Sequence, residues 1–222
     1  AVVLAAGVPA NVCTLHGNNK SMTELREAIA AGVRHIIVDS FDELDRLDAL
    51  AAEQLGPIPK VLLRITPGVS AHTHEFIATG QDDSKFGFNL GNGDALRAVD
   101  RARRSTSVEL VGVHCHIGSN VFEASSFAKA AAVMADFAVP LDLPELVLGG
   151  GLGVAYIEGE EAPTIAHWGN VLLDACQALG VRSKVSVEEF WTKLNEEEAT
   201  EAEKQFEAWN SAAATIQVAW AA

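Results

Sequence analysis

Short apolar segments alternate with amphipathic segments along most of this 222-residue chain. The apolar runs are rich in β-branched residues and predict strands buried on both faces, as in a parallel sheet. These runs occupy residues 12–16, 35–39, 61–66, 110–116, 146–150 and 184–188. The helical patterns between them cover residues 21–31, 41–55, 94–104, 125–137 and 164–179. Two of these helices begin with predicted caps, a capping box of Ser21 and Glu24 and a serine at Ser40.

The alternation of strand and helix predicts an α/β fold with right-handed crossovers, for which two architectures compete. A doubly wound sheet carries one glycine-rich loop after its first strand. A (β/α)8 TIM barrel places polar residues at the carboxyl ends of many strands, because all its loops share one site. Nearly every apolar run here ends in polar residues or glycine. We therefore expect a partial barrel with about six of the eight strands.

The last segment differs in composition from the rest. Residues 186–222 contain no Gly or Pro and are rich in Glu. Their apolar side chains recur at intervals of three and four residues, which predicts one face of a helix: Phe206, Trp209, Ala213, Ile216 and Trp220. We place a domain boundary here, with a barrel domain over 1–188 and an acidic amphipathic helical tail over 189–222.

Composition and charge narrow the class of protein. The formal net charge of −14 opposes binding to nucleic acid or to anionic membranes. No apolar run of about 18 residues and no export signal are visible. The cysteines Cys13, Cys115 and Cys176 are far apart in sequence, which favours a reducing cytoplasm over a disulfide framework. The chain opens inside a helical pattern rather than at Met, so a fragment is expected.

Two motifs could carry chemistry at the strand ends. Gly149, Gly150 and Gly151 follow an apolar run, where they form either a phosphate-binding loop or a tight turn. His114 and His116 lie two residues apart on a strand and point the same way. They could bind a metal, stack on an aromatic cofactor with Ser119 near its phosphate, or be satisfied core histidines.

The remaining candidates are charged side chains and a histidine-rich loop. Arg64 lies inside an apolar strand and needs an anionic partner, for which Glu188 on another strand end is the candidate. His72 and His74 have no clear third ligand nearby, so a metal site is not favoured there.

Four strings of the chain, taken together and in order, resemble the bacterial diaminopimelate decarboxylases, which are fold-type III enzymes dependent on pyridoxal 5'-phosphate (PLP). They are H-G-N-N-K-S at 16–21, H-T-H-E-F-I-x-T-G with S-K-F-G at 72–87, G-V-H-x-H-I-G-S at 112–119 and G-G-G-L-G at 149–153. The resemblance covers 1–188. It implies a barrel of the alanine racemase-like PLP-binding type, a homodimer, and a small amino-acid substrate.

The resemblance also implies roles for single residues. His116 resembles the histidine that stacks on the pyridine ring, and Ser119 with the three glycines resembles the phosphate site. Glu188 resembles the glutamate that binds the pyridine nitrogen, and Arg64 the arginine that supports it. The family's Schiff-base lysine lies upstream of Ala1, and Lys20 is not at its position. No catalytic residue and no metal ligand is therefore expected in this chain.

The reaction implied for the intact family protein is decarboxylation of meso-diaminopimelate to L-lysine in lysine biosynthesis. This chain alone is expected to be inactive, because it reads Glu188-Glu189-Phe190-Trp191 where the family has E-P-G-R. Two other readings stay open. One is a zinc-dependent barrel hydrolase that uses His114 and His116. The other is a non-catalytic remnant or assembly protein.

Overall fold

The structure, a computed structural model, describes residues 2–69, 85–156, 159 and 161–178, together with the backbone of 217–219. Its helices are α1 Val2–Ala5, α2 Met22–Ala31, α3 Phe41–Ala51, α4 Asp94–Arg104, α5 Ala124–Ala138 and α6 Ile165–Ala178. Its strands are β1 Thr14–Leu15, β2 His35–Val38, β3 Lys60–Thr66, β4 Phe88–Asn89, β5 Glu109–His114, β6 Glu145–Val147 and β7 Gln217–Ala219. Short 3-10 turns occupy Ala10–Val12 and Val139–Leu141.

The main sheet has the order β1-β2-β3-β5-β6-β7, and β4 adds to the end of β3. Every pair from β1 to β6 is parallel. Helices connect successive parallel strands, and the strand order follows the chain, as in part of a (β/α)8 barrel. The predicted barrel architecture is confirmed, and the predicted strand at 184–188 lies outside the described residues.

The helix starts follow the sequence prediction closely. The hydroxyl of Ser21 accepts a hydrogen bond from the Glu24 backbone N–H, and the Glu24 carboxylate accepts one from the Ser21 backbone N–H, which completes the capping box. The Ser40 hydroxyl accepts from the Glu43 backbone N–H and caps α3. These caps satisfy backbone donors that the first helical turn leaves unpaired.

The hydrophobic core is divided by the sheet. The larger part lies between the strands and the helices and includes Ile36, Leu63 and Phe127. A smaller cluster on the opposite face contains Ile37, Leu62, Val111 and Val147. Since side chains two apart on a strand share a face, this inner face continues into the polar strand ends.

Helix α5 is an apolar core helix. The segment Ala124–Leu141 is long and apolar enough to cross a membrane by length and composition, and 44% of it is buried inside the domain. Its buried side chains include Phe127, Ala131 and Met134, and they pack in the main core. The apolar character of this segment is therefore accounted for by packing against the sheet and α6.

The structure corrects three details of the sequence prediction. Gln217–Ala219 was expected within a helical tail, but its backbone forms a strand that pairs antiparallel with β6. The outer edge of β6 presents backbone hydrogen-bonding groups that an extended segment satisfies. Strand β4 was missed because it is two residues long, and α3 ends at Ala51 rather than at residue 55. The rest of the predicted tail helix lies outside the described residues.

Candidate cofactor site

The carboxyl ends of β1, β3, β5 and β6 surround a cavity of about 530 Å³. Parallel strands bring their carboxyl ends to the same edge of a sheet, so residues distant in sequence meet there. The lining residues are His16, Arg64, His114, His116, Ser119, Asn120, Gly149, Gly150, Gly151, Leu152, Val154, Tyr156, Ile165 and Trp168. The cavity thus brings together the described candidates that the sequence singled out.

The glycine loop after β6 lies directly against the chain that follows β5. Gly149 and Gly151 have φ angles of 68° and 101°, a region that side chains with a Cβ rarely adopt. A Cβ at Gly149 would overlap the carbonyl oxygen of Cys115, and one at Gly151 would overlap that of Gly118. Either Cβ would also lie 3.2 Å from an atom of the His116 ring. Glycine is therefore required for the loop to sit beside this imidazole.

Two backbone hydrogen bonds join the same two loops further along. The Val121 N–H donates to the Gly151 carbonyl at 2.9 Å, and the Gly153 N–H donates to the Val121 carbonyl at 2.9 Å. Ser119 lies between these paired segments and the end of β5 and also lines the cavity. The hydroxyl, the imidazole and the glycine backbone consequently share one wall.

Three histidines lie around the cavity, and all are held neutral at ordinary pH. Burial lowers the pKa of His116 to about 4, with a further contribution from the Arg64 charge. Burial also lowers the pKa of His114 well below its usual 6.5. The pKa of His16 is lowered to about 4 by desolvation, Arg64 and Lys20. Because His16 is exposed at the cavity rim, solvent screens part of this last effect.

The imidazole of His114 is buried beside the cavity. Its ring packs edge-on against His16, with 5.2 Å between ring centroids. Its buried Nδ1 has no hydrogen-bond partner among the residues that the structure describes. Both His114 and His116 line the cavity, but β5 ends at His114, so His116 lies beyond the strand on which it was predicted.

Arg64 has a partner that the sequence analysis did not assign. Its Nη1 lies 3.3 Å from Asp39 Oδ1, and its guanidinium lies 4.5 Å from the centre of the Phe86 ring. Burial lowers the pKa of Arg64, while Asp39 counteracts this shift. Asp39 ends the strand next to β3, so strand adjacency was the signal that could have identified it. Glu188, the expected partner, lies outside the described residues.

Lys20 is ion-paired and hydrogen-bonded in the protein interior. Its Nζ lies 2.8 Å from Glu43 Oε1 and donates to the backbone carbonyls of Gly17 and Ile37 at 2.5 and 2.7 Å. The side chain is 2% exposed. This amine is therefore held by three oxygens in the protein interior.

The cavity also has an apolar wall that the sequence analysis missed. Trp168 and Ile165 of α6 line the cavity, and the Trp168 ring packs edge-on against Phe127 at 5.7 Å. A helical pattern with an aromatic residue was visible, but its approach to the strand ends depends on how α6 packs. The wall provides an apolar surface for a flat ring.

The structure offers little support for a metal site. Within the described ranges, no group of three or more His, Cys, Asp or Glu side chains is arranged to hold a metal ion. His72 and His74 lie outside those ranges. The zinc hydrolase alternative therefore gains no third ligand from the part of the chain that is described.

Residues 1–188 match the family model of the pyridoxal-dependent decarboxylases, pyridoxal binding domain. The chain belongs to this family. It is 43% identical over 195 residues to the diaminopimelate decarboxylase of Mycobacterium bovis, covering 82% of this chain and 43% of the relative. The enzyme of Bacillus subtilis is 41% identical over 194 residues, covering 85% and 44%. The chain thus spans less than half the length of these relatives.

Solved structures of pyridoxal-dependent decarboxylases share the fold. Diaminopimelate decarboxylase from M. jannaschii superposes with a TM-score of 0.73 at 33% identity, covering 81% of this chain and 42% of the other. The enzyme from Helicobacter pylori in complex with L-lysine gives 0.71 at 31% identity, covering 79% and 45%. These structures confirm the partial barrel, and the matched family model shows that the family depends on pyridoxal, the cofactor PLP.

The described residues fit such a cofactor. A phosphate is suited to the glycine loop, where no Cβ obstructs the backbone. A pyridine ring is suited to a cavity lined by the neutral His116 and by the apolar side chains of Ile165 and Trp168. Arg64 adds a positive charge that favours an anion.

Proposed function

We propose that this chain binds PLP and that the whole protein is a diaminopimelate decarboxylase, which converts meso-diaminopimelate to L-lysine and carbon dioxide. One observation carries the proposal. His116, Ser119, the glycine loop and Arg64, which are far apart in sequence, line a single cavity at the strand ends. The curated relatives that the chain matches are diaminopimelate decarboxylases, and L-lysine is bound in the H. pylori structure.

Bound PLP supplies an electron sink for the pair of electrons left when a carboxylate departs as carbon dioxide. The residues of this chain would hold it. The backbone N–H groups of Gly149, Gly150 and Gly151, with the Ser119 hydroxyl, would bind the phosphate. The neutral imidazole of His116 would lie against the ring without adding charge.

Arg64 contributes a cationic side chain to the cavity lining, and Asp39 pairs with it. We propose that Arg64 supports an acidic partner of the pyridine nitrogen, for which the resemblance points to Glu188. A carboxylate near that nitrogen would keep it protonated. The apolar wall at Trp168 would exclude water from the same space. We also propose that the whole protein is a cytoplasmic homodimer, as the resemblance implies.

Titration of the purified chain with PLP, followed by quenching of tryptophan fluorescence, tests the cofactor assignment. We expect saturable binding that is weaker for pyridoxal, which lacks the phosphate. S119A should weaken PLP binding, whereas S105A, which changes a serine outside the cavity, should not. Absence of saturable binding would favour the non-catalytic alternative.

The activity is tested separately. We expect this chain alone to release no carbon dioxide from meso-diaminopimelate, because none of its lysines resembles the family's Schiff-base lysine. Covalent catalysis by this family depends on that amine. Labelled carbon dioxide released above the background of a heat-inactivated sample would contradict this expectation.

A further inference from the structure

Four charged side chains are buried between the start of α2 and the cavity. Lys20 is 3% exposed, Asp39 5% and Glu43 3%, and the Arg64 side chain is 13% exposed. Burial of a charge is unfavourable unless it is paired and hydrogen-bonded. The group contains two cations and two anions, so its charges balance.

The first half of the group fixes the backbone at the end of β2. Glu43 Oε1 lies 2.8 Å from Lys20 Nζ. Glu43 Oε2 accepts a hydrogen bond from the Asp39 backbone N–H at 3.3 Å. Lys20 itself is anchored to the Ile37 carbonyl, also on β2. Glu43 therefore holds the backbone of Asp39, and Lys20 compensates the buried charge of Glu43.

The second half of the group reaches the cavity wall. Asp39 Oδ1 accepts from Arg64 Nη1 at 3.3 Å, and Oδ2 accepts from the Gly87 N–H at 3.1 Å. The Arg64 guanidinium also lies over the Phe86 ring. Its position is thus set by a carboxylate on one side and an aromatic ring from the segment before β4 on the other.

Balanced buried charges can often be replaced by apolar residues without loss of stability. Stability alone therefore does not explain why this network ends on a guanidinium that lines the cavity. We propose that Asp39 is a positioning residue that acts on the cofactor through Arg64, and that Glu43 holds Asp39 in place while Lys20 compensates the buried charge of Glu43. This inference rests on the proposed PLP site for its functional meaning, whereas the fixed position of Arg64 can be measured without a ligand.

The ligand-free measurement is the NMR spectrum of the Arg64 side chain, assigned by its loss in R64M. We expect resolved guanidinium signals that exchange slowly with water in the unsubstituted chain. D39N should broaden them or speed their exchange. D42N is the matched control. Asp42 lies at the start of α3, its side chain is 71% exposed, and it pairs with Arg46. Fast exchange in the unsubstituted chain, or no change in D39N, would overturn the proposal.

The second measurement is PLP affinity in a double-mutant cycle. D39N and R64M should each weaken binding roughly tenfold, the loss of about one charge-assisted contact. D39N should have no further effect in the R64M background, because Asp39 acts through Arg64. Additive losses would identify Asp39 as merely structural. If the unsubstituted chain binds no PLP while the NMR response holds, the cofactor proposal fails and the positioning of Arg64 stands.

A pair of variants tests the Lys20–Glu43 half without leaving a buried charge unpaired. K20M/E43Q retains a side-chain oxygen for the Asp39 N–H, whereas K20M/E43L removes it. We expect slow exchange of the Arg64 signals in the first variant and fast exchange in the second. Melting temperatures measured in parallel show whether each is folded. Equal Arg64 spectra in the two folded variants would refute this half of the inference.

Discussion

Acidification is expected to destabilise this chain through the half-buried histidine of the cavity, His116. Burial lowers the pKa of His116 from 6.5 to about 4, so between these values the unfolded chain binds more protons than the folded chain. Linkage then favours the unfolded state as the pH falls. The contribution of this imidazole to stability is complete above pH 6.5 and is lost progressively towards pH 4.

The size of the effect follows from the two pKa values. At pH 5 the unfolded imidazole is almost fully protonated, whereas the folded one is about one-tenth protonated. The free energy of unfolding should therefore be lower at pH 5 than at pH 8 by about 2 kcal/mol from His116 alone. His114, which is also held neutral by burial, should increase the loss.

Urea denaturation at pH 8 and pH 5 measures this difference. H116Q should reduce the difference in unfolding free energy between pH 8 and pH 5 by about 2 kcal/mol, whatever its effect on stability at pH 8. H167Q is the matched control, because His167 is exposed on α6 outside the cavity. If acidification from pH 8 to pH 5 lowers the free energy of unfolding equally in H116Q and in the unsubstituted chain, His116 is not held neutral by the fold.

Two further predictions concern packing and thiol reactivity. Gly151→Ala should abolish PLP binding and lower the free energy of unfolding by more than about 1 kcal/mol. Gly93→Ala is the control, because Gly93 has a φ of 82° and open space around it. This variant should lower stability without weakening PLP binding. Equal affinities in the two variants, from titration, would contradict this. Burial raises the pKa of Cys115 to about 12 and of Cys176 to about 11, so iodoacetamide should modify the partly exposed Cys13 first, as mass spectrometry can show.

The repeat of strands and helices could be predicted because each element carries its own signal. The capping box at Ser21 and the apolar run of β3 are local patterns, and both appear in the structure. Strand β4 is two residues long and carries no such signal. The strand at Gln217–Ala219 was missed because its pairing depends on the edge that β6 offers rather than on its own sequence.

The residues of the cavity could also be predicted only in part from the sequence. His116, Ser119 and the glycines could be identified from the sequence, since glycine at a strand end and histidines two apart are visible as strings. Their meeting in one cavity depends on the parallel order of β5 and β6. The required absence of a Cβ at Gly151 depends on how close the next loop comes.

The amino-acid sequence by itself identified most of the strands and helices and the side chains that could serve a cofactor, because periodicity, caps and motifs are local properties. Only the tertiary structure decided the partners of the charged groups. Asp39 meets Arg64 across neighbouring strands, and Lys20 meets Glu43 between a loop and a helix. Such pairs depend on burial and on which strands become neighbours, and the spacing of residues along the sequence does not specify either.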